Sequence, residues 1–444
     1  MPIDLIIRNG KVVRPTGVEV LDLAIDGEKI VDIGRDLSIH AKDTIDATDQ
    51  LIFPGVIDSH VHFNEPGRTD WEGFETGSMA LAAGGGTCFF DMPLNSSPPV
   101  LDGESFDRKL ECAKAKSYTD FALWGGLTPS NLDKMEELAD RGVVGFKAFM
   151  SNSGIEDFQH ADDTTLWRGM RQAARLKLPV AVHAENDSIT ATLARESVAS
   201  GRTAARDYLL SRPVVAETEA ITRAIHLAQD AGCRLHLVHV SSIEGVVAIR
   251  MNRTYVTCET CPHYLTLTEE DVIRIGAPAK CAPPIRSSFD RSQLIDATRD
   301  GSIDIIASDH SPSPASMKTD NNFFRIWGGI AGVQSTLPLL LKVEPNIRLE
   351  KIAALTSQNV SAIYNLPGKG NLKKGFDADL CIVDLARAST LAPEHLLQRH
   401  KISPYIGMKI QGMIQRTILR GRTIFLDGKI VGSPGGRFVR PERA

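Results

Sequence analysis

Between residues 53 and 310, apolar runs of strand length alternate with stretches of helical periodicity, and few architectures accept that pattern. The runs are eight in number, at 53–62, 87–92, 120–124, 144–150, 179–185, 234–241, 255–261 and 304–310. Helical intervals such as 102–116, 131–140, 164–176, 217–231 and 290–300 separate them. Strand then helix, repeated in this way, predicts an α/β chain folded as a parallel (β/α)8 TIM barrel. An open doubly wound sheet is the alternative, because one sequence does not reveal strand order. No Gly-x-Gly-x-x-Gly follows the first run. Gly84-Gly85-Gly86 precedes a strand, which makes it a tight helix-to-strand turn and not a phosphate cradle.

The flanks have a different texture. Leu5-Ile6-Ile7, Lys11-Val12-Val13 and Leu23-Ala24-Ile25 are punctuated by Asn9-Gly10 and Asp26-Gly27, an antiparallel β pattern. It returns in the stretch from Ala378 to Asp384 and again at 417–425, closed by Asp427-Gly428. Both ends are therefore expected to build one small β domain, from 1–52 and 366–444, beside a barrel at 53–365. With 444 residues, 42% of them hydrophobic, the chain has the material for both.

Charge and cysteine usage narrow the partners. A formal charge of -5 without a long block of one sign argues against nucleic acid and against an anionic membrane surface. No run of about 18 apolar residues occurs, and the start MPIDLIIRNGKVV has no cationic leader, so a cytoplasmic protein is expected. Seven scattered cysteines suit a reducing compartment. Cys258 and Cys261 form the one CxxC. Without a following histidine or a second pair, they read as two half-buried thiols near a strand end.

A barrel of this kind works at the carboxyl ends of its strands, so polar residues there carry the functional argument. The first run ends Asp58-Ser59-His60-Val61-His62, and residues two apart share a face, which turns both imidazoles into one cavity. Four other runs end on residues of matching type: Lys147, His183, His239 and Asp309. Singly, a buried hydrogen bond explains each as well as a metal does. Jointly, four imidazoles and a carboxylate are the donors that zinc or a similar dication accepts. His236 and His310 fall an odd number of residues from these and are expected to be structural, on the opposite face.

Lys147 is the odd member, since an ammonium repels a dication. Buried without a counterion it becomes a free amine, which adds carbon dioxide. The resulting carbamate can bridge two metals about 3.5 to 4 Å apart. An ion pair with a neighbouring carboxylate is the alternative.

With these residues assembled, the chain resembles the cyclic amidohydrolases: dihydroorotases, hydantoinases or dihydropyrimidinases, and allantoinases. The resemblance covers nearly the whole chain. Its most specific strings are residues 60–74, Asp91-Met92-Pro93-Leu94-Asn95-Ser96, Ser308-Asp309-His310-Ser311-Pro312 and Trp327-Gly328-Gly329-Ile330-Ala331-Gly332, which look like those of allantoinases. It implies a barrel with a small β-sandwich made by both termini, and a homotetramer. It also implies two zinc ions per chain, one on His60 and His62, one on His183 and His239. Carboxylated Lys147 would bridge them, and Asp309 would complete the first site and act as the base for a shared hydroxide nucleophile.

The substrate turns on the residue two places after His62. In dihydroorotases an arginine there binds the substrate carboxylate; this chain has Asn64. Asparagine offers a donor and an acceptor to the neutral ureido group of allantoin, whereas an arginine aimed at it would be a buried charge without a counterion. Arg68 keeps a dihydroorotase in play, and hydantoinases also take neutral rings. Asn95 and Ser311 are further candidates for substrate contact. The resemblance thus implies hydrolysis of the hydantoin ring of allantoin to allantoate. The rival from another class is an inactive barrel acting as an assembly protein, disfavoured because every ligand type is present.

Overall fold

The computed structural model describes residues 2–343 and 346–442, and its central element is the eight-stranded barrel that the alternation predicts. The strands are Val56–Val61, Gly86–Asp91, Asp120–Leu123 continued by Gly125–Gly126, Phe146–Phe149, Val180–His183, Leu235–Leu237, Val256–Thr260 and Ile305–Ile306. Sequence neighbours pair in parallel. A parallel bridge from Val61 to His310 returns the last strand to the first, which disposes of the open sheet. Both faces of these strands are buried, which is why the runs read as continuous apolar segments.

Local chemistry starts and stops the helices between them. Asp102 accepts from the Ser105 amide at 2.8 Å and Asp162 from the Thr165 amide at 2.7 Å, satisfying first-turn donors of Gly103–Lys116 and Asp163–Arg175. Gly85, between the helix Phe74–Ala83 and the second strand, has φ +86°, and a Cβ there would meet the Cys381 sulfur at 2.9 Å. The glycine triplet is a turn, as read from sequence.

Two strands end a full four residues short of their apolar runs. The sixth stops at Leu237 and the eighth at Ile306, because His239 and Asp309 lie beyond them with φ of 41° and 46°. Extended pairing does not tolerate positive φ, so period-two alternation does not reach these positions.

The termini meet as expected. A nine-stranded sheet joins strands from Ile3–Arg14 to Leu51–Pro54 with four from Leu380–Thr390 to Lys429–Ile430. The seam is Leu51–Pro54, antiparallel to Leu380–Thr390 with Ile52 opposite Ile382. Leu23, Ile25, Ile52, Leu380 and Ile418 belong to a core of its own. The barrel strand therefore begins at Val56 and not at Phe53, and Gly55 marks the passage: a Cβ there would lie 2.2 Å from the Thr87 hydroxyl.

All seven cysteines are free, and Cys258 and Cys261 are fully buried instead of half-buried. Among the described residues no helix is long and apolar enough to cross a membrane.

Candidate metal centre and active site

Six side chains from five barrel strands converge at the carboxyl end. His60 lies at the end of the first strand, one residue before its last, and His62 follows it; Lys147 lies within the fourth and His183 closes the fifth; His239 and Asp309 follow the sixth and eighth. Nε2 of His60 and Nε2 of His62 lie 3.3 and 3.5 Å from one Asp309 oxygen. Donor atoms of these three residues are all within 4.8 Å of one another. On the other side, Nδ1 of His183 lies 3.1 Å from Nε2 of His239. The rings of His60 and His239 connect the two groups, with centroids 5.5 Å apart.

The tautomers show what belongs between them. Nδ1 of His60 contacts Oε1 of Glu259 at 2.5 Å, so the proton sits there and the Nε2 lone pair faces the Asp309 oxygen. Nε2 of His183 donates to Glu185 at 2.9 Å, which turns its Nδ1 lone pair toward His239. The His60 lone pair therefore faces the Asp309 carboxylate with no proton of its own between them, an arrangement a cation resolves. Two donors bonded to one tetrahedral ion at 2.0 to 2.1 Å lie about 3.3 Å apart, close to all three separations. His60, His62 and Asp309 fit a metal ion, and His183 and His239 offer two further imidazole donors beside it.

Burial and neighbouring charge disfavour the charged form of three of these imidazoles, as ligation requires. Desolvation lowers the pKa of His60, His183 and His239, and the Lys147 ammonium lowers all three further. Lys147 is itself fully buried, its Nζ has no hydrogen-bond partner, and burial pulls it to about 8. Phe149 stacks on His183 at 4.6 Å between centroids and lies 5.2 Å from that Nζ. The ion-paired reading of Lys147 finds no partner among the described residues.

Residues 51–424 match the Amidohydrolase family. The chain belongs to the amidohydrolase family. As an amidohydrolase it is a metal-dependent hydrolase. It is 54% identical to the allantoinase of Rubrobacter xylanophilus over 99% of this chain and 98% of that protein, and 52% identical to the allantoinase of Solibacter usitatus over 99% and 97%. Among solved structures, the L-hydantoinase (dihydropyrimidinase) of Arthrobacter aurescens superposes with a TM-score of 0.96 at 33% identity, over 99% of this chain and 100% of that one.

The cavity of this amidohydrolase over the histidines has a volume of about 760 Å³. Asn95 and Ser311 line it. Asn64 does not: it is fully buried behind the wall, with Nδ2 3.5 Å from the Pro312 carbonyl and Oδ1 without a partner. Arg68 does not line it either, and donates to the carbonyls of Asn95 at 2.9 Å and Ser96 at 3.4 Å. Asn64 and Asn95 share positive φ, 64° and 67°, with His239 and Asp309. Such strain concentrates where surroundings over-determine a site.

Sequence reasoning passed over the carboxylates that orient the histidines. Glu259 lies in the seventh run and Glu185 ends the fifth, and each is an acidic residue inside a buried apolar stretch, which was the available signal. Glu185 is clamped in turn by Arg212 at the cavity wall. His236 supports the centre from below, with Nε2 3.2 Å from Glu259. His310 accepts from the amides of Gly332 and Val333 at 3.1 and 3.3 Å through Nδ1. Neither lines the cavity.

Proposed function

We propose that the protein is an allantoinase, which opens the hydantoin ring of allantoin with water to give allantoate. The carrying observation is full-length similarity to proteins of that name, joined to a donor set suited to hydrolysis of a cyclic amide. His60, His62 and Asp309 would hold one zinc ion, and His183 and His239 a second. The free amine of Lys147 would add to carbon dioxide with release of a proton, and the resulting N-carboxylate would serve as a further anionic ligand. Bound metal would supply Lewis acidity toward water and the amide carbonyl.

The protein's own groups do the rest. Asp309 lies 3.3 and 3.5 Å from Nε2 of His60 and His62 and enters the reaction as a carboxylate. It takes the proton of the attacking water and returns it to the departing ring nitrogen. Glu259 and Glu185 keep each histidine in its binding tautomer. Asn95 and Ser311 contact the ring from the cavity wall, and Asn64 acts from behind it by holding Pro312.

A hydantoinase side activity is the second reading, favoured by a cavity of about 760 Å³, larger than allantoin needs. The dihydroorotase reading weakens because the carbonyls of Asn95 and Ser96 occupy Arg68. Turnover of allantoin, dihydroorotate, dihydrouracil and hydantoin by zinc-loaded protein tests all three. Rapid opening of allantoin supports the proposal, and its absence beside rapid opening of another ring rejects it. We also propose that the enzyme works in the cytoplasm, where its free cysteines stay reduced, and as a homotetramer, which sedimentation velocity would test.

A further inference from the structure

The segment 315–329 passes over the cavity as a roof, presenting Met317, Phe324, Arg325, Ile326 and Trp327 to it. Its end is pressed against the loop after the eighth strand, where a Cβ on Gly329 would lie 2.3 Å from the Ser311 carbonyl oxygen. Two lysines bind this roof by its backbone. Nζ of Lys318 donates to the carbonyls of Trp327 at 2.9 Å, Gly329 at 2.8 Å and Ala277 at 3.3 Å. Nζ of Lys280 donates to the carbonyls of Ile326 at 2.5 Å and Phe324 at 3.3 Å, and sits 4.6 Å from the centre of the Tyr208 ring.

The contacts are reciprocal. Lys318 belongs to the roof and reaches back to Ala277, while Lys280 belongs to the wall and reaches up. The Gly329 amide donates to the Lys280 carbonyl at 2.8 Å. On the far side, Trp71 packs edge-on against Trp327 at 4.8 Å. Neither ammonium has an ion-pair partner among the described residues, although Lys280 is only 4% exposed. Burial pulls the amines to about 7 and about 8. A charge buried among carbonyls alone is costly, and an ammonium has three donors and no acceptor, so its fitting use is to gather carbonyls.

We propose that Lys318 and Lys280 are positioning residues that clamp the roof over the catalytic cavity and so set which ring substituents the enzyme accepts. The inference rests on the allantoinase reading for its substrate and on geometry for the clamp. With the clamp intact, the roof closes on a small polar ureido group. With it loosened, a bulky apolar group at the same ring position gains room.

The test compares zinc-loaded wild type with Lys318→Met, which keeps the stem and removes the donors, and with Lys318→Arg, which keeps charge and donors. Hydrogen exchange of peptides covering 315–329 should speed up about tenfold in Lys318→Met and recover in part in Lys318→Arg. KM for allantoin should rise about tenfold with kcat held within about threefold, and preference should shift toward 5-benzylhydantoin. Wild-type exchange in the roof, or a fall in kcat with unchanged KM and preference, overturns the clamp. Should Lys318→Met not fold, Lys280→Gln reads the same quantities, and wild-type values there overturn it equally. Failure of the wild type to open allantoin would sink the functional reading alone, because the exchange comparison needs no substrate.

Discussion

Nδ1 of His60 meets Oε1 of Glu259 at 2.5 Å, and this one bond decides which side of the imidazole is left for a cation. The first strand supplies the ring and the seventh its carboxylate. His236 and Ser59 each hold the other Glu259 oxygen at 3.2 Å, so the carboxylate cannot swing away. Glu259→Gln keeps the size and loses the charge. We expect metal affinity to fall about 10- to 100-fold, the range usual for such partners, read by competition against a chelator. A variant that binds as tightly as wild type would leave Glu259 without this role.

Lys147 offers a sharper case, a fully buried amine without a hydrogen-bond partner for which the proposed carbamate would account. Lys147→Ala should lose most activity and part of its metal together, by about 100-fold or more in kcat. Short carboxylic acids should restore a fraction of both by standing in for the carbamate. Full activity in the variant would remove the carbamate from the reaction; intact-mass analysis of native protein would show its 44 Da directly (about, as the mass of carbon dioxide added).

Most of this arrangement could be read from sequence, and the remainder fails for a physical reason. A buried parallel strand announces itself as an apolar run, so Phe146–Phe149 and Val180–His183 appeared where expected, with Lys147 and His183 conspicuous in them. Parity along a strand served for His60 and His62. It gave no licence for His239 or Asp309, whose positive φ takes them off the ladder, although both still reach the centre. Asn64 failed as a cavity residue for the same kind of reason: at φ 64° its side chain turns into the wall toward Pro312. Closure of the barrel, the roof and its lysine bonds depend on contacts distant in sequence, which leave no local pattern.

Acid should weaken the second half of the site first through Glu185. Burial alone would raise its pKa, but the Arg212 guanidinium and His183 hold it to about 2 against an ordinary 4.5. Between those values the unfolded chain binds a proton that the folded chain refuses, so stability present above pH 4.5 drains away as pH falls toward 2. The span corresponds to about 3 kcal/mol for a fully buried group. Thermal melts of metal-free protein should therefore show a steeper loss over that window than Glu185→Gln. Parallel curves for the two proteins would contradict the assignment.

Metal removal should act on the fold as well as on the chemistry. In the absence of a cation, the lone pair of His60 faces the Asp309 carboxylate at 3.3 Å. This is an unfavourable approach that the barrel enforces through Glu259 from beneath. A ligand bound by the native state alone stabilises it by RT ln(1 + [L]/Kd), about 1.4 kcal/mol for each tenfold rise in free ion once the site is saturated. The melting temperature of chelated protein should thus climb steadily with buffered free zinc. His62→Ala removes one donor without disturbing either carboxylate and should shift that climb to higher zinc. A melting temperature indifferent to zinc would mean that the paired donors do not hold the ion, whatever the protein does with allantoin.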